Sequence, residues 1–180
     1  MNDREVAKSA LRFARELQKD AGDAIPSARP PINESRVLFE ELVTEPELRE
    51  EVKQLYLDGH YSQAVEEGFK FLNNLVRRRT GCVADGAPLM TTALSPKGPL
   101  LKLSDLKTTS QVDQQQGYMR MLEGAMLGIR NPRAHDHRHL DEPRGALELL
   151  AFCNHLVRTV RGARRARQGG KVVRPKNRLQ

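Results

Sequence analysis

From Tyr61 onward the apolar positions are Ala64, Val65, Gly68, Leu72, Leu75 and Val76. This three-to-four spacing is held for about four turns of an α-helix, and a strand, with its period of two, does not gather such residues on one face. No stretch of comparable length alternates apolar with polar residues, and no internal repeat recurs. The chain is therefore expected to be all-α. With hydrophobic residues at 38%, aromatic residues at 4% and no Trp, its core has to be assembled from Leu, Val, Ala and Met. A mean hydropathy of −0.61 leaves part of the chain outside that core.

The remaining helices follow from the same spacing and from their end signals. Ala7, Ala10, Ala14 and Leu17 share one side of a weakly amphipathic helix over 3–19, and Ile25-Pro-Ser-Ala-Arg-Pro-Pro31 reads as a linker after it. Val37, Leu38, Leu42 and Val43 mark a short helix within 33–43. In Thr44-Glu-Pro-Glu47 the Thr can cap a new helix, the Pro suits its first turn and Glu47 completes a capping box. Leu48, Val52, Leu55 and Tyr56 form the apolar side of that helix, and Asp58-Gly59 ends it. In the Tyr61 helix, Arg77, Arg78 and Arg79 fall in the last turn, where cations complement the dipole, and Gly81 stops it.

Residues 82–109 are rich in Gly, Pro, Ser and Thr and read as a long loop, held down by its leucines and containing a short hairpin. Ser110-Gln-Val-Asp113 is a second capping box, followed by Val112, Met119, Leu122, Met126 and Ile129 at helical spacing. Gly117, Gly124 and Gly128 share this helix. Each costs about 1 kcal/mol relative to Ala in a helix, so together they point to close approach by another backbone. The last helix, 142–166, is apolar nearly all round and needs cover on more than one side, as at the centre of a bundle or against a second subunit. The organisation expected is an N-terminal extension over 1–44, a four-helix bundle over 45–166 and a basic tail over 167–180.

Charge is distributed unevenly. Residues 158–180 hold nine Lys and Arg and no acid; removing those nine from the chain's 30 basic residues leaves 21 against 23 acids, a net −2 for residues 1–157. A tail of this kind binds nucleic acid without sequence choice, by releasing counterions, or simply keeps the protein soluble. No apolar run reaches the roughly 20 residues of a membrane span, and the N-terminus lacks the apolar region of a secretory signal. Cys82 and Cys153, in no C-x-x-C pattern, are expected to be two reduced thiols of a cytoplasmic protein.

The stretch Gly128-Ile-Arg-Asn-Pro-Arg-Ala-His135-Asp-His-Arg-His139 carries more basic and titratable side chains than a turn requires. Pro132 is expected to push Asn131 out of the helical region and to end the third bundle helix at Arg130. Three readings fit. In the first, Asn131 and Pro132 make the turn, Arg130 caps the helix and the histidines lie on the surface. In the second, His135, Asp136, His137 and His139 hold a metal, although no partner cluster exists elsewhere. In the third, the stretch performs metal-free phosphate chemistry: an imidazole moves protons near neutral pH and a guanidinium grips phosphate bidentately.

Arg130-Asn131-Pro-Arg-Ala-His135 resembles the R-x(4–6)-H motif of the HEPN superfamily (higher eukaryotes and prokaryotes nucleotide-binding). The ordered segments "LYLDGHYSQAVEEGFKFLNNLVRRRTG", "LMTTALS", "GPLLKL", "GYMRMLEGAMLGIRNPRAH" and "ALELLAFCNHLVR" are similar, more narrowly, to the Ymh-type bacterial family associated with abortive infection, over about 45–160. The resemblance implies an all-α, four- to five-helix HEPN-like bundle that forms a homodimer around the motif, with N-terminal helices and a disordered basic C-terminal tail. It implies a metal-independent endoribonuclease, needing no cofactor, of a toxin–antitoxin or phage-defence system, with RNA as substrate and an antitoxin or defence-system component as partner. Arg130, Asn131 and His135 then match the catalytic positions. Arg133, Arg138, Arg164, Arg165 and Arg167 are the residues expected to hold flanking RNA backbone. The competing class is a non-catalytic dimeric bundle that binds RNA or a protein without turnover.

Overall fold

The structure, a computed structural model, describes residues 32–135 and 141–166. The expected helix over 3–19 and linker over 25–31 lie outside them. Helices α1 (Ile32–Leu42), α2 (Pro46–Leu57) and α3 (Tyr61–Thr80) follow one another through short turns. Helix α4 (Gly86–Leu94) and strand β1 (Leu101–Lys102) precede α5 (Thr109–Ala125). A five-residue π-helical segment, Met126–Arg130, joins α5 to the short α6 (Asn131–His135). The last elements are α7 (Pro143–Gly162) and strand β2 (Arg164–Arg165). The described residues form an all-α bundle with a single two-stranded antiparallel pair, Leu101 opposite Arg165 and Lys102 opposite Arg164. None of the described helices is long and apolar enough to cross a membrane.

Helix α3 is the axis of the bundle, in contact with α2, α4, α7 and the π segment. Its periodic residues are the buried ones: Ala64, Val65, Phe69, Leu72 and Val76 are fully covered. Gly68 belongs to the same stripe for a different reason. A Cβ there would lie 3.1 Å from Leu150 Cδ2 of α7, so the missing side chain lets the two helices approach. Cys153 Sγ donates to Gly68 O at 3.2 Å across this contact, and burial pushes the Cys153 thiol far above its ordinary range.

Expected helix ends appear at Gly59 and Gly81, both in the left-handed region at φ 85° and 75°. Other expectations are corrected. Bundle packing begins before residue 45, because Phe39 and Val43 are fully buried in the same core. Residues 82–109 pack down as expected but are not all loop: α4 buries Leu89, Met90, Ala93 and Leu94, and β1 pairs with β2 in place of a local hairpin. The cap of α5 lies two residues earlier than the sequence suggests, with Thr108 Oγ1 accepting from Gln111 N and Gln111 Oε1 accepting from Lys107 N. Glu45, not Thr44, is the N-cap of α2, and Thr44 Oγ1 accepts instead from Asn154 Nδ2 at 3.3 Å.

Buried amides fasten the irregular segments. Gln115, fully buried, accepts from Leu103 N and donates to Leu94 O and Leu101 O. Arg79 reaches from the end of α3 to three carbonyls at the end of α7: Val160 O at 2.6 Å, Arg161 O at 2.5 Å and Ala163 O at 2.6 Å. The arginine run thus divides its work, Arg79 capping a neighbouring helix through charge and hydrogen bonds rather than only closing its own.

Candidate functional site around Arg130

Asn131 is helical, at φ −63° and ψ −43°, and the chain does not turn at Pro132. Within the π segment the bonding shifts to i→i+5, and Asn131 N closes it by donating to Met126 O. The α ladder then starts afresh at Asn131, so Pro132 lies in a first turn, where amides have no intrahelical acceptor and the missing N–H costs nothing. Asn131 therefore keeps αR backbone in spite of the restriction expected from Pro132, and the π segment lies one turn upstream, a feature frequent at functional sites.

Continuity of the helix separates the expected pair. Five residues along an α-helix correspond to a rotation of about 140°, so Arg130 and His135 leave different sides of it. His135 is exposed at the end of α6, and neither its ring nor the Asn131 side chain makes a hydrogen bond to a described residue. Arg130 is held: its side chain is 22% exposed, and Nη1 lies 3.3 Å from Asp85 Oδ2.

Asp85 is the hub of this corner. It is the N-cap residue of α4, yet its carboxylate does not cap that helix. It accepts instead from Arg77 Nη2 and, at 2.7 Å, from Asn73 Nδ2. Asn73 is only 2% exposed, and its Oδ1 accepts from Gly86 N at 2.9 Å, which locks the start of α4 onto α3. The Nε atoms of both Arg77 and Arg130 are buried with no hydrogen-bond partner among the described residues. The sequence by itself assigns Arg77 to helix termination and does not single out Asn73 or Asp85. The four-residue spacing of Asn73 and Arg77, which places them on one helix face, is the signal it offers.

The arginines expected to hold RNA backbone meet different fates. Arg133 is a structural anchor: its side chain is 6% exposed, it clamps Asp141 through Nε (2.7 Å) and Nη2 (2.5 Å), and Nη1 donates to Ile129 O. This correction follows from the helical path, which turns Arg133 inward toward the start of α7. Arg164 pairs with Asp105 at 2.5 Å, and that contact holds the Asp105 carboxyl below its usual range. Arg165 is exposed on β2. Arg138 and Arg167 lie outside the described residues, as do Asp136, His137 and His139. Among the described residues no group of three His, Cys, Asp or Glu side chains is placed to hold a metal ion.

Large exposed apolar side chains among the described residues are Val37, Leu38, Leu42, Val83, Met121 and Leu127. None is on α7, whose Leu149 and Phe152 pack against the chain's own core. Cβ atoms added at Gly117, Gly124 or Gly128 would meet nothing within 4 Å. The close approach expected at these glycines is therefore not made by any of the described residues. It occurs at Gly68 instead.

No curated protein and no solved structure matches the chain. A family model described as "Protein of unknown function (Hypoth_ymh)" matches residues 43–160, and the chain belongs to that Hypoth_Ymh family.

Proposed function

We propose that the chain is a metal-independent endoribonuclease of the HEPN kind, of a toxin or phage-defence type, acting through Arg130, Asn131 and His135. The observation that carries this reading is the setting of Arg130. It is the last residue of a π segment, its side chain is 22% exposed, and a buried Nε is left without a partner among the described residues. RNA carries its own nucleophile, the 2′-OH, so a site has only to remove its proton, protonate the leaving 5′-oxygen and stabilise charge on phosphorus. His135 is the group for proton transfer, a role worth about 10²–10⁴ in rate. Arg130 is the group for the phosphate, and a preorganised donor of this kind contributes on the order of 3 kcal/mol. Asn131 orients the imidazole or the phosphate.

Because Arg130 and His135 leave different sides of one helix, the reading includes a homodimer in which a second copy completes the cleft. The open stripe Gly117, Met121, Gly124 and Gly128, four and three residues apart along α5 and the π segment, supports such seating. Arg165 and the basic residues after 166 supply backbone affinity. The same separation of Arg130 from His135 favours the second reading, a dimeric module that binds RNA or a partner protein without cutting.

The test is cleavage of RNA in EDTA by the wild type and by His135→Ala, with light scattering on the same samples. Wild type is expected to cut as a dimer, to leave 2′,3′-cyclic phosphate and 5′-OH ends, and to spare 2′-O-methyl RNA. His135→Ala is expected to lose about 10²-fold or more. Equal cutting by both, or cutting only after a divalent metal is added, overturns the mechanism. Binding without cutting by wild type leaves the module.

A further inference from the structure

We propose that Arg77 is a second phosphate-holding residue of the Arg130 site, and that Asp85 is an internal counter-anion which an RNA phosphodiester displaces. The inference rests on the reading that Arg130 meets RNA phosphate.

Two guanidiniums from separate elements, α3 and the π segment, converge on one carboxylate. Their charges leave this corner with one unmatched positive charge. The carboxylate is held in place, since the buried Asn73 fixes both Asp85 Oδ1 and the Gly86 amide. The donors, however, are not exhausted. Each guanidinium offers five N–H groups. Arg130 spends one on a long 3.3 Å contact, and the Nε of both arginines is buried without a partner among the described residues.

The corner is open to solvent on the side of Arg77 and Asp85. Side-chain exposure is 41% at Arg77, 47% at Asp85 and 22% at Arg130. Ion pairs this exposed contribute little, so the exchange of the carboxylate for another anion costs little. A phosphodiester brings one negative charge and two non-bridging oxygens, the geometry that a guanidinium grips bidentately and a single carboxylate contact at 3.3 Å does not use. Arg77 and Arg130 together supply two such forks. Asp85 keeps them apart and oriented while the site is empty, and it competes with the ligand.

The experiment is binding of a 2′-O-methyl RNA oligonucleotide, which lacks the nucleophile, to the full-length chain by fluorescence anisotropy. Arg77→Ala and Arg130→Ala are each expected to weaken binding about two- to fivefold, the size of one partly exposed charge contact. Asp85→Asn keeps an acceptor for Asn73 and is expected to tighten binding about threefold; in the Arg77→Ala/Asp85→Asn chain that gain disappears. Weaker binding by Asp85→Asn at an unchanged melting temperature overturns the counter-anion role, and wild-type affinity in Arg77→Ala overturns the second phosphate contact. Should Asp85→Asn fail to fold, titration of the wild type with inorganic phosphate decides. The Arg77 and Arg130 Nε–H resonances, assigned with Arg77→Lys and Arg130→Lys, must both move, and stationary signals sink the proposal. If neither Arg77→Ala nor Arg130→Ala alters binding, the phosphate role of Arg130 falls with it. If His135→Ala cuts like wild type while these binding changes hold, only the ribonuclease reading falls.

Discussion

Tyr56 shows how a single side chain ties burial to pH. It is 2% exposed, stacked on Phe39 and edge-on to Tyr61, and its hydroxyl donates to Pro143 O at 3.2 Å. Burial first, and the neighbouring Tyr61 second, raise its pKa above the ordinary tyrosine value. The folded chain therefore holds this proton more tightly than the unfolded chain does. The sign follows: the contribution is complete below the unfolded value of about 10 and is lost as pH rises toward the folded one. Lys70, raised by its hydrogen bonds to Glu66 and then Glu67, has the same sign. Urea unfolding between pH 8 and pH 11 is expected to show stability falling on the alkaline side. Tyr56→Phe should make that fall shallower, at a cost near neutral pH of about 1 kcal/mol for the lost hydrogen bond. Parallel curves for the two proteins would contradict the account. The Asp85 corner belongs to this scale as well. The sequence places Asn73 and Arg77 on one helix face, but their convergence with Asp85 and Arg130 is not legible in it.

Among the elements, the segment between α4 and α5 departs most from the sequence expectation. Its leucines correctly announce that it packs down, yet periodicity does not reveal what holds its backbone. That work falls to Gln115, whose amide meets three backbone groups from the fully buried interior. Gln115→Leu leaves Leu103 N–H, Leu94 O and Leu101 O without this partner. At about 1 kcal/mol for each unmet group, a loss of roughly 2–4 kcal/mol is expected in urea unfolding. A loss below about 0.5 kcal/mol would show that water or another group takes over. The π segment is the second departure. Pro132 predicts a break, yet the helix continues through Asn131 in αR backbone, with a widened turn just upstream of the proline ring. The outcome separates Arg130 from His135 and turns Arg133 inward, which is why the motif's spacing alone misjudges its geometry.

For the whole molecule, backbone pairing among the described residues runs to their last position. Ala166 N donates to Leu100 O at 2.8 Å and Arg164–Arg165 pair with β1, so the bundle extends to residue 166. Arg158, Arg161 and Arg164 lie within ion-pair reach of Glu45, Glu47 and Asp105, and count as part of the fold despite belonging to the basic run. Truncation after Ala166 removes Arg167, Lys171, Arg174, Lys176 and Arg178. It is expected to leave the melting temperature unchanged and to weaken RNA binding. The slope of log affinity against log salt should become shallower by about 0.7 for each phosphate that is no longer neutralised. An unchanged slope, measured by anisotropy across a salt series, would make those residues bystanders.

What the sequence determined by itself was the class of fold, the four long helices, the ends at Gly59 and Gly81 and the buried stripe of α3. These depend on local spacing and on backbone preferences that act within a few residues. What only the tertiary structure decided was which polar groups meet. Arg79 crosses to the end of α7, Gln115 holds the α4–α5 connection, Asp85 gathers Arg77 and Arg130, and Arg133 is withdrawn from solvent. Such contacts join residues distant in the chain, and periodicity carries no information about them. Their placement depends on helix packing at Gly68 and on the extra residue of a π turn, where a shift of one position re-aims every side chain that follows.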